Sequence, residues 1–491
     1  MEQPKLGTGD IQGLIVSGYD KMKEATFLLL TITDAADGRK WLSSLLPHIT
    51  PVRERSELLR LAHRTHVNIA FTHEGLKALG LGNDGLQSFP TEFQQGMPER
   101  SRILGDTGLS APEQWEPWFS DATKVHALLL LYALDLPELK TLVDLQKSLM
   151  VPSIQILNEF KTTPKIAEKE HFGFRDGISQ PGIEGVRDAS GQDVLETGEF
   201  VLGYTDHQGE LPESPTISAV QDVHHLLPKS QQIGAEGRKD LGKNGSYLVF
   251  RKLYQDVGFF QSEMEEKAKQ VPDSMVPKEM LPVDWLKAKV VGRFPNGSPL
   301  ALSDQPSNST EKANSFGYAK EDPEGTKCPF GSHVRRANPR DVLPSADGAV
   351  MSKDIVDNHR IIRRGRIYGQ YFTPESKDED RGLYFIALMA NISRQFEFVQ
   401  QTWVNNAKFG GLFDNVDILV GNNPDPKHWK QESGAPPLPP GVPPDENTNI
   451  MTIPGAPARA RICDFNRFVR VKGGAYFFMP SLRVIRFLSE I

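Results

Sequence analysis

The clearest signal in the chain is the alternation of apolar runs of strand length with longer segments of helical character. Residues 26–32 are almost wholly apolar and read as a buried strand. Residues 35–46 read as a helix. Residues 66–71 alternate apolar and polar positions and read as a second strand. Thr72 is suited to cap a helix over 74–79, which Gly80 ends. A third strand is expected over 125–134 and a helix over 137–149. This order predicts a ferredoxin-like β-α-β-β-α-β unit.

The second half repeats the pattern. Strands are expected over 246–254, 383–389 and 468–479, and helices over 255–269, 393–405 and 482–490. The chain therefore reads as α+β, two versions of one module. The expected division is 1–210 for the first module, 211–243 for a linker region and 244–491 for the second. Residues 212–243 are polar and contain Gly and Pro, as a linker does. Residues 424–457 include the run P-P-L-P-P-G-V-P-P, which favours extended polyproline II and reads as a surface excursion.

Composition narrows the function classes. The 491 residues allow two large domains or about three ordinary ones. With 38% hydrophobic and 24% charged residues, the chain can bury a large core. A net charge of −7 argues against a dedicated nucleic-acid binder. In such a chain, the clusters Arg335, Arg336, Arg340 and Arg360, Arg363, Arg364, Arg366 are better suited to anionic groups in a pocket. Two cysteines exclude a disulfide framework and a Cys-rich metal site. The longest apolar run, 127–134, is too short to span a bilayer, so no membrane partner is expected. The first fifteen residues hold Glu2, Lys5 and Asp10 and show no signal peptide. Sequons at Asn244, Asn308 and Asn391 are compatible with secretion of a mature chain.

Two separated segments carry the candidate chemistry. One is H-F-G-F-R-D-G-I-S-Q-P, residues 171–181. The other is C-P-F-G-S-H-V-R-R-A-N-P-R, residues 328–340, followed by I-I-R-R-G-R-I-Y-G, residues 361–369. Together they offer a carboxylate on a glycine-flanked turn (Asp176), an imidazole (His333) and an arginine (Arg363). A haem that splits hydrogen peroxide needs an axial ligand, for which imidazole is common. It needs a group that accepts a proton from one oxygen and returns it to the other. It also needs a fixed cation where negative charge develops, and arginine is charged at any working pH.

At these residues the chain resembles the dye-decolorizing peroxidases, most closely the long fungal type. G-F-R-D-G matches that family's G-x-x-D-G loop, and S-H-V-R-R-A-N-P-R matches the surroundings of its haem histidine. The match continues through R-R-G-R-I-Y-G, G-L-Y-F-I-A-L and A-N-I-S-R-Q-F-E-F-V-Q-Q-T-W, and D-I-Q-G-L-I near the start also fits. The resemblance implies two ferredoxin-like modules of the dimeric α+β barrel type, with one haem b per chain held mainly by the C-terminal module. It implies oxidation of dyes and phenolics by hydrogen peroxide through a ferryl–porphyrin radical.

The resemblance also assigns roles. His333 is the expected iron ligand; the adjacent pair His224–His225 is the rival, but neighbours on a strand face opposite sides. Asp176 is the distal acid–base, and its plain alternative is a turn aspartate. Arg363 is selected by the pattern R-x-x-x-x-[YF]-G, with Tyr368 five residues on, and Arg364 is left open. Asp417 is expected to partner the second imidazole nitrogen, with Glu397 as the alternative. Leu383 and Phe385 share a strand face that the resemblance places along the distal pocket. Arg335 is expected to serve a haem propionate. Tyr368 and Trp403 match positions that carry electrons to the surface, although Trp403 also reads as helix core. The acidic run Glu375, Asp378, Glu379, Asp380 supplies oxygen ligands of the kind Mn(II) takes. Two other classes compete: a haem-binding or iron-release protein on the same fold, and an unrelated α+β binding protein.

Overall fold

The computed structural model describes residues 6–52, 64–186, 193–307, 313–343, 352–377, 379–429 and 449–491. Asn308, Asp378 and the proline-rich run at 436–444 lie outside these.

The N-terminal unit consists of β1 (Glu24–Ile32), α1 (Ala35–Leu45), β2 (Thr65–Phe71), α2 (His73–Ala78), β3 (Ala127–Ala133), α3 (Leu136–Ser148) and β4 (Ile154–Lys161). Its helices start where the sequence supplies caps. Asp34, Thr72 and Asp135 each accept a hydrogen bond from a backbone N–H in the first turn. The C-terminal unit consists of β5 (Ser246–Gln255), α4 (Val257–Ala268), α5 (Pro282–Val291), α6 (His333–Ala337), β6 (Ile362–Arg363), β7 (Arg366–Tyr368), β8 (Gly382–Met389), β9 (Val469–Met479) and α7 (Leu482–Glu490).

All nine strands join one antiparallel sheet, in the order β6-β8-β5-β9-β2-β3-β1-β4, with β7 also paired to β8. Each half has the ferredoxin-like strand order, and the halves meet edge to edge where Phe478 of β9 pairs with Phe71 of β2. The sheet is curled. On a flat sheet β1 and β5, four strand spacings apart, would be separated by roughly 19 Å. Yet the rings of Phe27 and Phe250 lie 6.5 Å apart, and Phe160 of β4 lies 5.2 Å from Phe250. Beyond β4, Thr163 N donates to Ile367 O of β7 at 2.8 Å, which brings the two ends together. The interior is a dense apolar core containing Phe27, Leu128, Leu130, Tyr132, Phe250 and Tyr384.

The expected strands and most helices are present, with ends moved by at most two residues. Three features differ from the reading of the pattern. Strand β4 went unread because its sequence, I-Q-I-L-N-E-F-K, mixes polar and apolar positions, as an edge strand can. Residues 212–243 contain two short paired strands, Thr216–Ser218 and Arg238–Asp240, with Ile217 fully buried. The helix expected over 393–405 is two π-helical segments, Ser393–Glu397 and Val399–Val404. Asn244 is buried and bonded to Tyr204 and Asp10, so that sequon is closed in the folded chain.

Candidate active site

A cavity of about 330 Å³ lies against the outer face of the C-terminal half of the sheet. Leu253 of β5, Leu383 and Phe385 of β8, and Val469 and Val471 of β9 supply its apolar wall. Side chains alternate along a strand. Leu383 and Phe385 therefore face the cavity while Tyr384 packs in the barrel interior. Asp176, Arg363 and His333 all line the same cavity, although up to 187 positions separate them in sequence.

The Asp176 loop is built by its own motif. Gly173 and Gly177 adopt positive φ (94° and 83°), which only glycine takes without strain. The half-buried Glu170 carboxylate accepts from Phe172 N (2.8 Å), Phe174 N (3.0 Å) and Gln255 Nε2 (2.7 Å), which pins the turn to β5. His171 Nε2 meets Tyr368 O at 2.8 Å and pins it to β7. Asp176 is thus presented with Oδ1 accepting from Gly177 N at 2.7 Å and Oδ2 paired with Lys165 Nζ at 2.9 Å. Burial pushes its carboxyl pKa up, but Lys165, Arg363 and these hydrogen bonds outweigh burial. The net effect holds it well below the usual carboxylate range.

Arg363 reaches Asp176 Oδ1 at 3.4 Å and Ser179 O at 3.5 Å, contacts long enough to leave its guanidinium available to a ligand. Its backbone N–H donates to Gln180 Oε1 at 2.9 Å, so the two motifs are tied directly. Arg364, one residue on, points away. It donates to the carbonyls of Leu14, Ile15 and Val16 and does not line the cavity. Of the two arginines, Arg363 lines the cavity and Arg364 does not.

His333 opens α6. Its Nδ1 lies 2.8 Å from Asp417 Oδ2, and Nε2 is the ring nitrogen left for a ligand. Asp417 is fully buried. Its Oδ1 accepts from Leu419 N (2.8 Å) and Val420 N (3.0 Å). Burial raises its pKa, but the imidazole and these backbone donors outweigh burial, and the net shift is downward. The alternative, Glu397, is taken by Arg100 and Tyr476 (2.9 Å to each). Arg336 fastens α6 to the segment that carries Asp417, donating to Trp403 O (2.6 Å), Asn406 O (3.1 Å) and Asn415 O.

Several expectations need correction. Arg335 does not reach the cavity. It is fully buried, paired with Asp322 at 3.1 Å and donating to Cys328 O at 2.7 Å, between the rings of Tyr318 and Phe330. Two positions along a helix turn a side chain by about 200°, which is why His333 and Arg335 face different ways. The cavity is lined instead by Arg175, Arg293, Arg340 and Arg360. Tyr368 and Trp403 are not surface residues, being 4% and 3% exposed. Trp403 packs among His359, Phe398 and Phe409; the Tyr368 hydroxyl donates to the half-exposed Asp380 at 3.2 Å. Asp380 also pairs with Lys252 at 2.7 Å, and no cluster of three metal-ligating side chains occurs among the described residues. Of the acidic run read as a Mn(II) site, Asp378 lies outside the described residues, and Asp380 is engaged by Lys252 and Tyr368. Lys165, Glu170 and Gln180 were missed. A lysine eleven positions before Asp176 was the only available hint of the first.

The cavity fits a flat, mainly apolar group with polar edges. Besides its apolar wall and His333 Nε2, it has buried polar atoms that lack hydrogen-bond partners among the described residues. Asn338 Oδ1 and Gln255 Oε1 are two of these. A buried polar atom without a partner is costly, and a bound group or water at its edge relieves that cost.

The chain is similar to known proteins in sequence and in fold. A family model for the DyP dimeric alpha+beta barrel domain matches residues 10–164. The chain is 31% identical to a dye-decolorizing peroxidase of Mycena epipterygia, over 97% of this chain and 86% of that one. It is 30% identical to peroxidase 2 of Mycetinis scorodonius, over 98% and 87%. Among solved structures, a decolorizing peroxidase from Auricularia auricula-judae superposes with a TM-score of 0.75 at 26% identity, covering 99% of this chain and 100% of that one.

Proposed function

The chain belongs to the dye-decolorizing peroxidase family and is a peroxidase, and from that premise we propose the roles of its residues. His333 holds the iron of one haem b per chain through Nε2, with Asp417 fixing the ring and raising its basicity. Haem, when bound, supplies the redox chemistry that reduces peroxide and then oxidises a dye or phenol by single electrons. Leu383 and Phe385 give it an apolar wall, and arginines of the cavity rim face its carboxylates. The division into modules 1–210 and 244–491 places Asp176 on the first and His333 on the second.

Asp176 is charged at rest and takes a proton from one peroxide oxygen. It returns that proton to the other oxygen, which leaves as water. Arg363, loosely held and permanently charged, stabilises the negative charge on the departing oxygen. The apolar wall excludes bulk water and strengthens both effects. Tyr368, whose hydroxyl proton has an acceptor in half-exposed Asp380, is the better placed of the two aromatic candidates to pass oxidising equivalents outward.

The single observation that carries this reading is the convergence in one cavity of an aspartate-held histidine and an aspartate–arginine pair. The test is the visible spectrum and peroxide-dependent dye oxidation of the haem-loaded protein. A Soret band that is lost in His333→Ala, together with turnover, is expected. A Soret band without peroxide turnover would identify a haem-binding protein instead. Among the described residues no helix is long and apolar enough to cross a membrane.

A further inference from the structure

Asp176 has a third partner besides Arg363 and Gly177, and neither the motif nor the reaction assigns it a part. Lys165 Nζ lies 2.9 Å from Asp176 Oδ2, with the two side chains 15% and 25% exposed. We propose that Lys165 is a positioning residue of the peroxide reaction: it fixes the Asp176 carboxylate and keeps it ionised in acid solution. The proposal rests on Asp176 being the acid–base group.

The backbone around Lys165 is built to make this contact. Thr163 N donates to Ile367 O (2.8 Å), Thr163 Oγ1 to Gly369 O (2.9 Å) and Ile166 N to Tyr371 Oη (2.7 Å). These bonds lock the segment onto the strand that follows Arg363. Ala167 and Glu168 then take positive φ (52° and 58°), a conformation uncommon outside glycine, and turn the chain into the hairpin that residues 170–174 close. The returning strand is held by a bridge between Lys169 and Arg175 and by Asp176 N donating to Glu168 O at 3.1 Å. Lys165 and Asp176 are thereby set across from each other.

The charged groups around Asp176 divide clearly. Lys165 and Arg363 contact it, and Arg175 lies beside it in the loop and on the same cavity. Glu170, the nearest acid within the loop, is held by Gln255 and two backbone donors, and burial pushes its own pKa up. Glu168 is drawn off by Lys23 at 3.3 Å. Arg293 lies beyond Arg363 on the cavity wall. Lys165 makes the shorter of the two ion pairs to Asp176, 2.9 Å against 3.4 Å for Arg363. An opposite charge at this distance lowers a carboxyl pKa by about 1–3 units.

The consequence is chemical. A carboxylate kept ionised by Lys165 is a weaker base but releases its proton readily to the departing oxygen. It also stays in the base form at a pH where an ordinary aspartate, with a pKa near about 3.9, is already half protonated. Lys165 exchanges no proton with peroxide in this scheme.

The test compares haem-loaded wild type, Lys165→Gln, Lys165→Met and Lys165→Arg by stopped-flow mixing with hydrogen peroxide from about pH 3 to about pH 7. The second readout is infrared titration of the protonated carboxyl band, assigned as the band that Asp176→Asn removes. In the neutral variants the acid limb and the infrared midpoint should both move up by about one unit or more, a roughly tenfold slower reaction in acid. Neutral-pH rates should change little, and Lys165→Arg should restore both readouts. Unmoved midpoints in variants with a normal Soret band would overturn the proposal, as would failure of both neutral variants to load haem. An Asp176→Asn protein that reacts at the wild-type rate would instead refute the acid–base reading, and the infrared midpoint would still decide whether Lys165 tunes the carboxyl.

Discussion

The imidazole of His333 and the carboxylate of Asp417 are joined by a 2.8 Å hydrogen bond, across 84 positions of sequence, with the carboxylate fully buried. That bond leaves Nε2 for a ligand. Asp417→Asn should keep the shape but remove the charge that makes the imidazole a stronger donor. Partners of this kind are worth about 10–100-fold in metal affinity or activity. Transfer of haem to apomyoglobin should accelerate by a factor in that range. An unchanged rate would show that Asp417 does not tune the ligand.

The two neighbouring arginines should separate function from stability. Arg363→Leu should slow the reaction with peroxide while leaving the unfolding temperature nearly unchanged, because its contacts within the protein are long. Arg364→Leu should do the reverse, since it leaves the carbonyls of Leu14, Ile15 and Val16 without their buried donor. That loss costs about 1–3 kcal/mol per unsatisfied group. Stopped-flow kinetics and thermal unfolding on both variants check the pair.

Arg335→Met should likewise be a stability variant. It strands the buried Asp322 carboxylate, and breaking such a pair from one side costs about 3–5 kcal/mol. Denaturant unfolding should register that loss, while the Soret position of the surviving holoprotein stays that of wild type. A shifted Soret band would restore Arg335 to the haem pocket.

These cases mark how far the sequence alone could be read. Apolar runs were enough for β1 and β3, alternation marked β2, and strand-length segments rich in apolar residues marked β5, β8 and β9. Edge strand β4, with Asn158, Glu159 and Lys161, carries no such signal. His333, Asp176 and Arg363 were legible because each sits in a short motif whose chemistry restricts its residues. Arg335 lies in the same motif as His333 but has a structural task, since helix geometry turns it toward Asp322. Trp403 matched by position, yet exposure depends on what packs over the π-helical segment, here Phe398 and Phe409. Lys165 was hidden because its meeting with Asp176 depends on a left-handed turn at Ala167 and Glu168, two residue types that do not announce one, ahead of the hairpin at 170–174.

The pH dependence follows from the direction of the Asp176 shift. Its folded-state pKa is lowered, so the base form is fully present above the ordinary carboxylate range and is lost only as the pH falls well below it. The peroxide step should therefore run undiminished at about pH 4, near the ordinary aspartate value. In Asp176→His the acid limb should rise toward about pH 6.5. The same acid limb in both proteins would mean that another group titrates.

The most direct measurement is the rate of Soret change on mixing haem-loaded Asp176→Asn with hydrogen peroxide at neutral pH. The variant retains the size and neighbours of the side chain but can neither accept nor return a proton. A rate lower than wild type by about 10²–10⁴-fold, with haem content unchanged, is the predicted result. A wild-type rate would contradict the assignment of Asp176 as the proton carrier of this peroxidase.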